Sequence, residues 1–335
     1  MIWNAVAVQD DRIYVGGPGW SGAEGPSLAR LGSNGVAEPY PSAEWNGWAA
    51  GQDATSAFVC VNAVHLDERA RLWVVDAGTP AFGGNPVDRG AKVVCIDLKT
   101  ETVPRIFHLG ADIAKPGSYV DDIRIHGSHA YLTDAGNPGI IVLDLEDGSA
   151  RRVLDNHPST VAPADRPIVV DGETVFTPDG SLLRVHSDPL ELSPDGIWLC
   201  YGPLEGPWSR IETRFLDDAT LFADELASKV EPWADLPPIG GCAMDPLGRL
   251  YFTDLAECAL KRRDTDGSIH TIVVDRDLHW VDAPFIDDSN VIWLPVPQLD
   301  RAALFHGGRS EIQWPIRLYR LALSGNARNH GRGLE

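Results

Sequence analysis

The sequence predicts an all-β protein, a six-bladed β-propeller with long loops on one face, from three observations. Short runs rich in Val, Ile, Tyr and Trp recur along the 335 residues and are bounded by Gly, Pro, Asp and Asn, as strands between turns are. Strands do not alternate with helical patterns, and only residues 218–230 have helical apolar spacing. The strands also repeat as a unit, which is typical of propellers.

The repeat is clearest in two segments that align without a gap. Residues 61–76 and 239–254 each contain a strand, a tight turn and a second strand, which ends at Asp76 or Asp254. Four further segments fit the same frame with small gaps, so the chain contains six copies. Their first positions are residues 4, 62, 121, 188, 240 and 282. Antiparallel repeats of about this length predict propeller blades of typically four strands.

We therefore expect residues 1–335 to form one domain. Blade six shows only three evident strands, so the sequence leaves open how the ring closes. Several long loops are expected on the face where the repeats begin, and Trp45, Trp48, Trp233 and Trp314 are expected to seal such loops onto the blades. The expected blades lie near 1–40, 57–109, 118–155, 166–216, 238–275 and 280–323.

Composition limits the classes of binding partner and indicates the expected cellular compartment. Lys and Arg number 28 and Asp and Glu number 48, and the resulting charge of −20 argues against nucleic acid or an anionic membrane surface as a partner. No apolar run approaches the roughly 18 residues that cross a bilayer, and the first residues lack a signal-peptide pattern. The 5 cysteines stand singly in apolar runs. We expect reduced core cysteines in a cytoplasmic protein.

The frame of the repeat predicts a ring of polar side chains. Each blade's first strand lines the central channel, so the first residues of the repeats should meet at one mouth. Five of the six are Asn or Asp, and the exception is Gly240. Because Ca²⁺ takes six to eight oxygen ligands, the ring predicts a divalent cation site, most simply for Ca²⁺. The alternative is that these residues only favour turns. The predicted ligands are Asn4, Asn62, Asp121, Asp188 and Asp282.

The same mouth supplies candidate catalytic residues. Asp188 and Asp121 are expected to move protons or activate water, and His186, two residues before Asp188, suits proton transfer near neutral pH. His65 and His279 are weaker candidates of the same kind. The sequence contains no Gly-x-Ser-x-Gly, phosphate-binding or His-Glu-x-x-His motif.

Two segments outside the repeat resemble the Yellow/major royal jelly protein family. One is Pro26-Ser-Leu-Ala-Arg30, continuing to Pro39-Tyr-Pro and Trp45-Asn46; the other is 195–217, with Tyr201-Gly-Pro-Leu204. The segment Arg71-Leu-Trp-Val-Val-Asp-Ala-Gly78 is similar to that family's second blade. The resemblance spans nearly the whole chain. It implies a six-bladed propeller of a bacterial, dopachrome-tautomerase-related type, with links to pigment chemistry or amine binding.

A more distant resemblance is to the regucalcin/gluconolactonase-like propellers, which are metal-dependent lactone hydrolases. It implies that Asn4, Asp121 and Asp188 match metal-ligand positions. The chain departs from that pattern where Asn4 replaces a Glu and Gly240 replaces an Asp. We therefore expect a small-molecule enzyme at the channel mouth that hydrolyses a lactone or ester or isomerises an oxygen-rich cyclic substrate. The alternative is a non-catalytic protein that binds a small amine or phenol.

Overall fold

A computed structural model describes residues 1–22 and 24–323 and contains six antiparallel sheets in a propeller arrangement. The predicted all-β, six-bladed fold is therefore confirmed. The expected domain, 1–335, includes 324–335, which lie outside the described residues. Among the described residues, no helix is long and apolar enough to cross a membrane.

The first three blades follow the chain, and each strand pairs with the next. Blade one consists of Ala5–Gln9, Arg12–Gly16, Leu28–Leu31 and Ala37–Pro39. Blade two consists of Val61–Leu66, Arg71–Asp76, Lys92–Asp97 and Thr102–His108. Blade three consists of Val120–His126, His129–Asp134, Gly139–Asp144 and Ala150–Val153.

The last three blades have the same order, but the sheet of blade six has three strands. Blade four consists of Ser187–Leu192, Trp198–Pro203, Trp208–Glu212 and Glu231–Ala234. Blade five consists of Ile239–Met244, Leu250–Asp254, Ala259–Arg263 and Ile269–Val274. Blade six consists of Phe285–Ile286, Val291–Val296 and Arg317–Ala322.

The helices of the described residues are short and lie between strands. The α-helices are Thr213–Asp217 and Ala223–Ala227, so the helical spacing of 218–230 produces a single short helix. The 3₁₀ helices are Gly19–Ser21, Arg276–Leu278, Leu299–Arg301 and Ala303–Phe305.

Blade four differs from its expected bounds of 166–216. Its sheet begins at Ser187, and the preceding segment forms a separate hairpin of Val169–Val170 and Glu173–Thr174. Asp171 and Gly172 have φ values of 46° and 87°, which suit a tight two-residue turn. The Asp171 amide donates to the Leu255 carbonyl at 3.1 Å, so this hairpin docks on blade five rather than extending blade four.

The predicted repeat frame is visible in the turns. Asp67 accepts hydrogen bonds from the Arg69 and Arg71 amides in blade two. Asp245, at the matching place in blade five, accepts from the Leu247 and Arg249 amides. Each carboxylate therefore closes the turn between the first two strands by a local hydrogen-bonding pattern that Asp favours.

Apolar side chains fill the space between successive blades and also close the ring. The sheet of blade one contains no strand from the opposite end of the described chain. Instead Val6, Val8 and Val15 of blade one pack with Phe285 and Trp293 of blade six. Burial of apolar surface, rather than a shared sheet, therefore joins the first blade to the last.

A buried ion pair in blade two holds the loop that leads to the first strand. Asp76 accepts hydrogen bonds from the amides of Val59 and Cys60, each at 2.8 Å. Lys92 donates to Asp76 at 2.7 Å and to the Gly90 carbonyl at 2.9 Å, and both charged side chains are fully buried. The pair therefore fixes the backbone just before Asn62.

Blade three has an equivalent arrangement. Asp134 accepts from the Tyr119 amide at 2.9 Å and from the guanidinium of Arg152 at 2.7 Å. Tyr119 is two residues before Asp121, so this pair fixes the backbone that leads to the next ring position.

In blade five, Asp254 pairs with Lys261 at 2.8 Å. The Asp that ends the second strand thus has a structural role that the repeat alone did not reveal.

All five cysteines are free and buried. This agrees with the core role expected from their positions in apolar runs.

Lys92→Met should destabilise the fold by about 3–5 kcal/mol, because Asp76 would remain buried without its cation. The measurement is the free energy of unfolding from urea titration at neutral pH.

Arg309→Met is the matched control, because Arg309 pairs with Glu311 at the surface. Its expected loss is below about 1 kcal/mol. A loss of that small size for Lys92→Met would contradict the role given to the buried pair.

Candidate functional site

The predicted ring lies at the floor of a cavity of about 520 Å³, a volume typical of small-molecule sites. In four blades the ring position is the second residue of the first strand, as the repeat frame requires. The structure brings together every predicted ligand, and the ring residues that line the cavity are Asn4, Asn62, Asp121, Asp188, Gly240 and Asp282.

Gly240 cannot carry a side chain in this ring. A Cβ built on Gly240 would lie 2.1 Å from the carbonyl oxygen of Val281. The linker to blade six therefore occupies the space that a side chain would need. The absence of a carboxylate here follows from that close approach.

A directed chain of hydrogen bonds runs from the cavity wall to the floor. Trp20 Nε1 donates to the Tyr119 hydroxyl at 2.9 Å, and Tyr119 donates to Asn62 Oδ1 at 2.8 Å. Asn62 Nδ2 then donates to Asp121 Oδ1 at 2.5 Å. Because Asn62 donates to Asp121, the chain favours a negative charge on Asp121.

The carboxyl groups of Asp121 and Asp188 lie close enough to affect each other's pKa. Burial, followed by repulsion from neighbouring carboxylates, raises the pKa of both side chains well above the ordinary value. Two carboxyl groups in this relation titrate together. Because Asn62 donates to Asp121, a proton held by the pair would be favoured on Asp188.

The Asp188 side chain does not cap a turn. Within the described part of the chain, no backbone amide donates to its carboxylate, whereas its own backbone carbonyl accepts from Thr133 at 2.6 Å. The alternative that ring residues only favour turns therefore does not explain Asp188.

Asp282 belongs to the same floor but has its own partners. Its carboxylate accepts from the Ala283 amide at 2.8 Å and from Trp280 Nε1 at 3.3 Å. Burial nevertheless raises the pKa of Asp282 to about 7. This side chain can therefore gain or lose a proton near neutral pH.

The donor set fits a cation only in part. Asn4 Oδ1 is buried and has no hydrogen-bond partner, so it is available as a ligand. Asn62 Oδ1 already accepts from Tyr119 and from Asn4 Nδ2 at 3.2 Å. Over residues 1–22 and 24–323, the ring carboxylates are not among the groups whose ligand atoms all lie within 4.8 Å of one another.

His186 lines the same cavity, as predicted. The Ala162 amide donates to His186 Nδ1 at 3.0 Å, so the neutral ring carries its hydrogen on Nε2. Burial lowers the pKa of His186, which favours the neutral ring. The other two candidates lie elsewhere: His65 lines a cavity at the opposite mouth, and His279 pairs with Asp300.

Aromatic side chains form the wall of the cavity, and the sequence did not identify them. They are Trp20, Tyr119, Phe82, Phe305 and Trp280. Phe82 contacts both Trp20 and Phe305 edge-on, with ring centroids 5.0 and 5.7 Å apart. These residues come from separate loops and short 3₁₀ helices. In the sequence, only their position next to ring residues or in long loops could have indicated that they line the cavity.

None of the loop Trp residues singled out in the sequence lines this cavity. Trp45 packs on Phe58 and Trp233 packs on Trp208, with ring centroids 4.9 and 5.8 Å apart. The contact of Trp45 agrees with the expectation that such side chains seal loops onto the blades, whereas Trp233 lies in the fourth strand of blade four and packs within that sheet.

Beyond the floor lies a buried ion-pair layer. Arg124 donates to Asp122 at 2.8 Å and to Glu191 at 2.7 Å. These residues line the second cavity, about 610 Å³, at the opposite mouth. The charge of Arg124 is therefore matched by Asp122 and Glu191 and does not neutralise the ring.

Comparison with known proteins identifies the family. The family model described as "Major royal jelly protein" matches residues 59–294, which is more than half of the chain. The chain belongs to the major royal jelly protein family. The family resemblance recognised from the motifs is thus confirmed.

The relatives with curated descriptions are distant. The protein yellow of Drosophila yakuba is 26% identical over 155 residues, which cover 42% of this chain and 28% of that protein. Protein yellow of Drosophila melanogaster is 26% identical over 149 residues, which cover 41% of this chain and 27% of that protein. The match thus spans little more than a quarter of the relatives' length.

One of two similar solved structures supports the fold. A structural genomics protein of unknown function from Bacteroides thetaiotaomicron matches with a TM-score of 0.55 at 9% identity, over 88% of this chain and 66% of that chain. Virginiamycin B lyase from Staphylococcus aureus, solved with quinupristin, has a TM-score of 0.49 at 11% identity, over 87% of this chain and 76% of that chain.

Asp282→Asn should change how stability depends on pH. Because burial raises the folded-state pKa of Asp282 to about 7, the wild type holds its full stability below the unfolded-state pKa and loses it as the pH rises through about 7. Between about pH 4 and pH 8, the wild type should therefore lose on the order of 3–4 kcal/mol relative to the variant. Unfolding free energies across that range measure this difference.

Asp179→Asn is the control, because Asp179 lies on the cavity lining but hydrogen-bonds in its own exposed turn. It should alter the pH dependence little. Parallel pH profiles for the wild type and Asp282→Asn would contradict the raised folded-state pKa of Asp282.

Proposed function

We propose that this protein is an enzyme that isomerises an oxygen-rich cyclic small molecule by proton transfer at the ring. The observation that carries the proposal is the buried, interacting Asp121–Asp188 pair on the floor of an aromatic-walled cavity. A buried pair that holds one proton offers a base and an acid side by side, which is the requirement for moving a proton between two atoms of one substrate.

The hydrogen bonds suggest which carboxyl group has which role. Asp121 accepts from Asn62, so we assign it as the ionised base. Asp188 carries the proton and is the acid. Asp121 would take a proton from a C–H or O–H of the substrate, and Asp188 would give its proton to another atom of that substrate. The product is an isomer, and the pair regains its starting state by exchanging the remaining proton.

His186 fits a supporting role. Its Nδ1 is held by the Ala162 amide, so Nε2–H is the group free to donate. A neutral imidazole donor in the cavity would bind a substrate carbonyl or hydroxyl oxygen and stabilise charge that develops there.

The walls indicate the substrate class. Aromatic rings such as Trp20, Phe82 and Phe305 offer flat apolar surfaces, whereas the floor supplies carboxyl and amide groups. A planar or cyclic molecule with several oxygens would pack against the wall and hydrogen-bond to the floor.

A divalent cation, in the first instance Ca²⁺, remains our proposal for the same floor. Asp121, Asp188, Asp282 and Asn4 would hold it, and Asn62 would orient Asp121. A bound cation would polarise a carbonyl oxygen and so favour lactone or ester hydrolysis. Because the cation would replace the shared proton, the ring would favour it more strongly as the pH rises.

One observation favours a second function, which is binding of a small amine without turnover. An organic ammonium ion would find both a carboxylate floor and aromatic faces in this cavity. Such a ligand would compete with protons and with Ca²⁺ for the same charge.

Asp121→Asn and Asp188→Asn should each lower kcat by about 10²–10⁴, the usual contribution of general acid–base catalysis. The assay uses a panel of cyclic phenols, quinones and lactones in deuterated water, with product detected by mass spectrometry. Isomerisation by this pair should incorporate solvent deuterium, whereas hydrolysis should incorporate oxygen from labelled water.

Asp179→Asn again serves as the control and should keep the wild-type kcat. Compounds that raise the melting temperature but never turn over would support the amine-binding alternative. Turnover that survives both ring substitutions would refute the proposal.

Asp188→Ala should separate a ligand role from a folding role. Removing one of several crowded carboxyl groups should keep or raise the melting temperature without Ca²⁺. It should also abolish any rise that Ca²⁺ produces in the wild type, since a ligand of the native state raises stability. The measurement is thermal unfolding with and without added Ca²⁺ after chelator treatment.

A variant that loses about 1 kcal/mol, the scale of one hydrogen bond, and still responds to Ca²⁺ would contradict this role for Asp188. A wild type whose melting temperature ignores Ca²⁺ would refute the cation proposal and leave the proton-transfer proposal standing.

A further inference from the structure

A second cluster of metal-ligating side chains lies outside the ring. Asp171, Cys258 and His279 each place one ligand atom within 4.8 Å of the other two. Asp171 is in the turn of the hairpin before blade four, Cys258 precedes the third strand of blade five, and His279 follows the 3₁₀ helix Arg276–Leu278. We propose that these three side chains bind one Zn²⁺ ion.

The types of ligand atom in this cluster favour Zn²⁺ over other divalent ions. A thiolate sulfur, an imidazole nitrogen and a carboxylate oxygen are the three kinds of ligand that proteins offer to Zn²⁺. Ca²⁺ and Mg²⁺ prefer oxygen ligands alone, so this set disfavours both. The thiolate of Cys258 and the carboxylate of Asp171 would together balance the two charges of the ion. Asp171 is partly exposed, so water can complete the tetrahedron.

His279 is oriented as metal-binding histidines are. Its Nε2 lies 2.8 and 3.0 Å from the two carboxylate oxygens of Asp300. A carboxylate that holds one ring nitrogen fixes the ring and increases the basicity of the other nitrogen. Nδ1 is thus left with its lone pair directed away from Asp300.

The charged neighbours leave room for an ion. Arg301 reaches His279 Nδ1 only at 3.4 Å, and it is held more firmly by Gln298 Oε1 at 2.7 Å. Arg276 is exposed and lies 3.8 Å from Asp171. Binding of Zn²⁺ would displace these two loose contacts and would keep the Asp300 and Gln298 hydrogen bonds.

Cys258 fits a metal ligand better than a nucleophile. Its side chain is buried, with its sulfur beside the ligand atoms of Asp171 and His279. A buried thiol does not react readily with substrates. A metal ion would replace the thiol proton on binding.

The proposed ion would join three segments behind the cavity wall. The residues that follow His279 are Trp280, in the wall, and Asp282, in the floor. Leu299, which precedes Asp300, also lines the cavity. A Zn²⁺ ion here would therefore stabilise the wall of the candidate site without entering it.

The experiment uses the full chain, stripped with a chelator and titrated with Co²⁺ and then with Zn²⁺ alone. We expect a near-ultraviolet thiolate-to-Co²⁺ charge-transfer band that corresponds to one Co²⁺ at this cluster, and we expect Zn²⁺ to abolish the band. Cys258→Ala should abolish the band. Asp171→Asn should weaken Zn²⁺ binding at least about tenfold, and it should keep the fold because Asn tolerates the φ of 46° at this position.

Cys95→Ala is the matched control, because Cys95 is another buried free cysteine, located in blade two. It should leave the band and the affinity unchanged. Absence of a thiolate band, or an equal band in Cys258→Ala, would overturn the proposal. Unchanged Zn²⁺ affinity in Asp171→Asn would also overturn it.

Discussion

The arrangement of the candidate site depends on buried ion pairs at the ends of second strands. The carboxylates of Asp76 and Asp134 accept hydrogen bonds from backbone amides that lie two or three residues before a ring position. Each carboxylate is paired with a buried cation, Lys92 or Arg152. The backbone that delivers Asn62 and Asp121 is therefore fixed by charge and hydrogen bonding inside the blades. The ring side chains can then remain crowded because the backbone that carries them is held by contacts outside the ring.

Much of the fold and the ring could be predicted because both follow from a repeated local pattern. Turn carboxylates such as Asp67 and Asp245 recur at a fixed place, and the ring position follows from the same frame. The start of blade four could not be predicted in this way. Val169–Val170 and Glu173–Thr174 have the apolar and turn pattern of a blade hairpin, but hydrogen bonding to Leu255 commits that hairpin to blade five.

Other parts of the site depend on contacts between distant segments and leave no pattern in the sequence. Trp20 and Tyr119 are 99 residues apart, yet their hydrogen bond begins the chain that ends at Asp121. Asn62 was expected to present its oxygen to a cation, but Tyr119 and Asn4 occupy that oxygen in this arrangement. Gly240 likewise marks a close approach of Val281, which only the packing of the blades reveals.

The ion-pair layer around Arg124 lies between the ring and the opposite mouth of the channel. Arg124, Asp122 and Glu191 lie beyond the ring, on the side of the opposite mouth, and hydrogen-bond to one another. A small molecule that crossed this layer would have to break those hydrogen bonds, so we expect a ligand to reach the ring from the ring's own mouth. A ligand that enters and leaves by that mouth has to depart before the next one binds. For an enzyme built in this way, accumulated product acts as a competitor of the substrate, and the rate of exit limits turnover whenever the chemistry is fast.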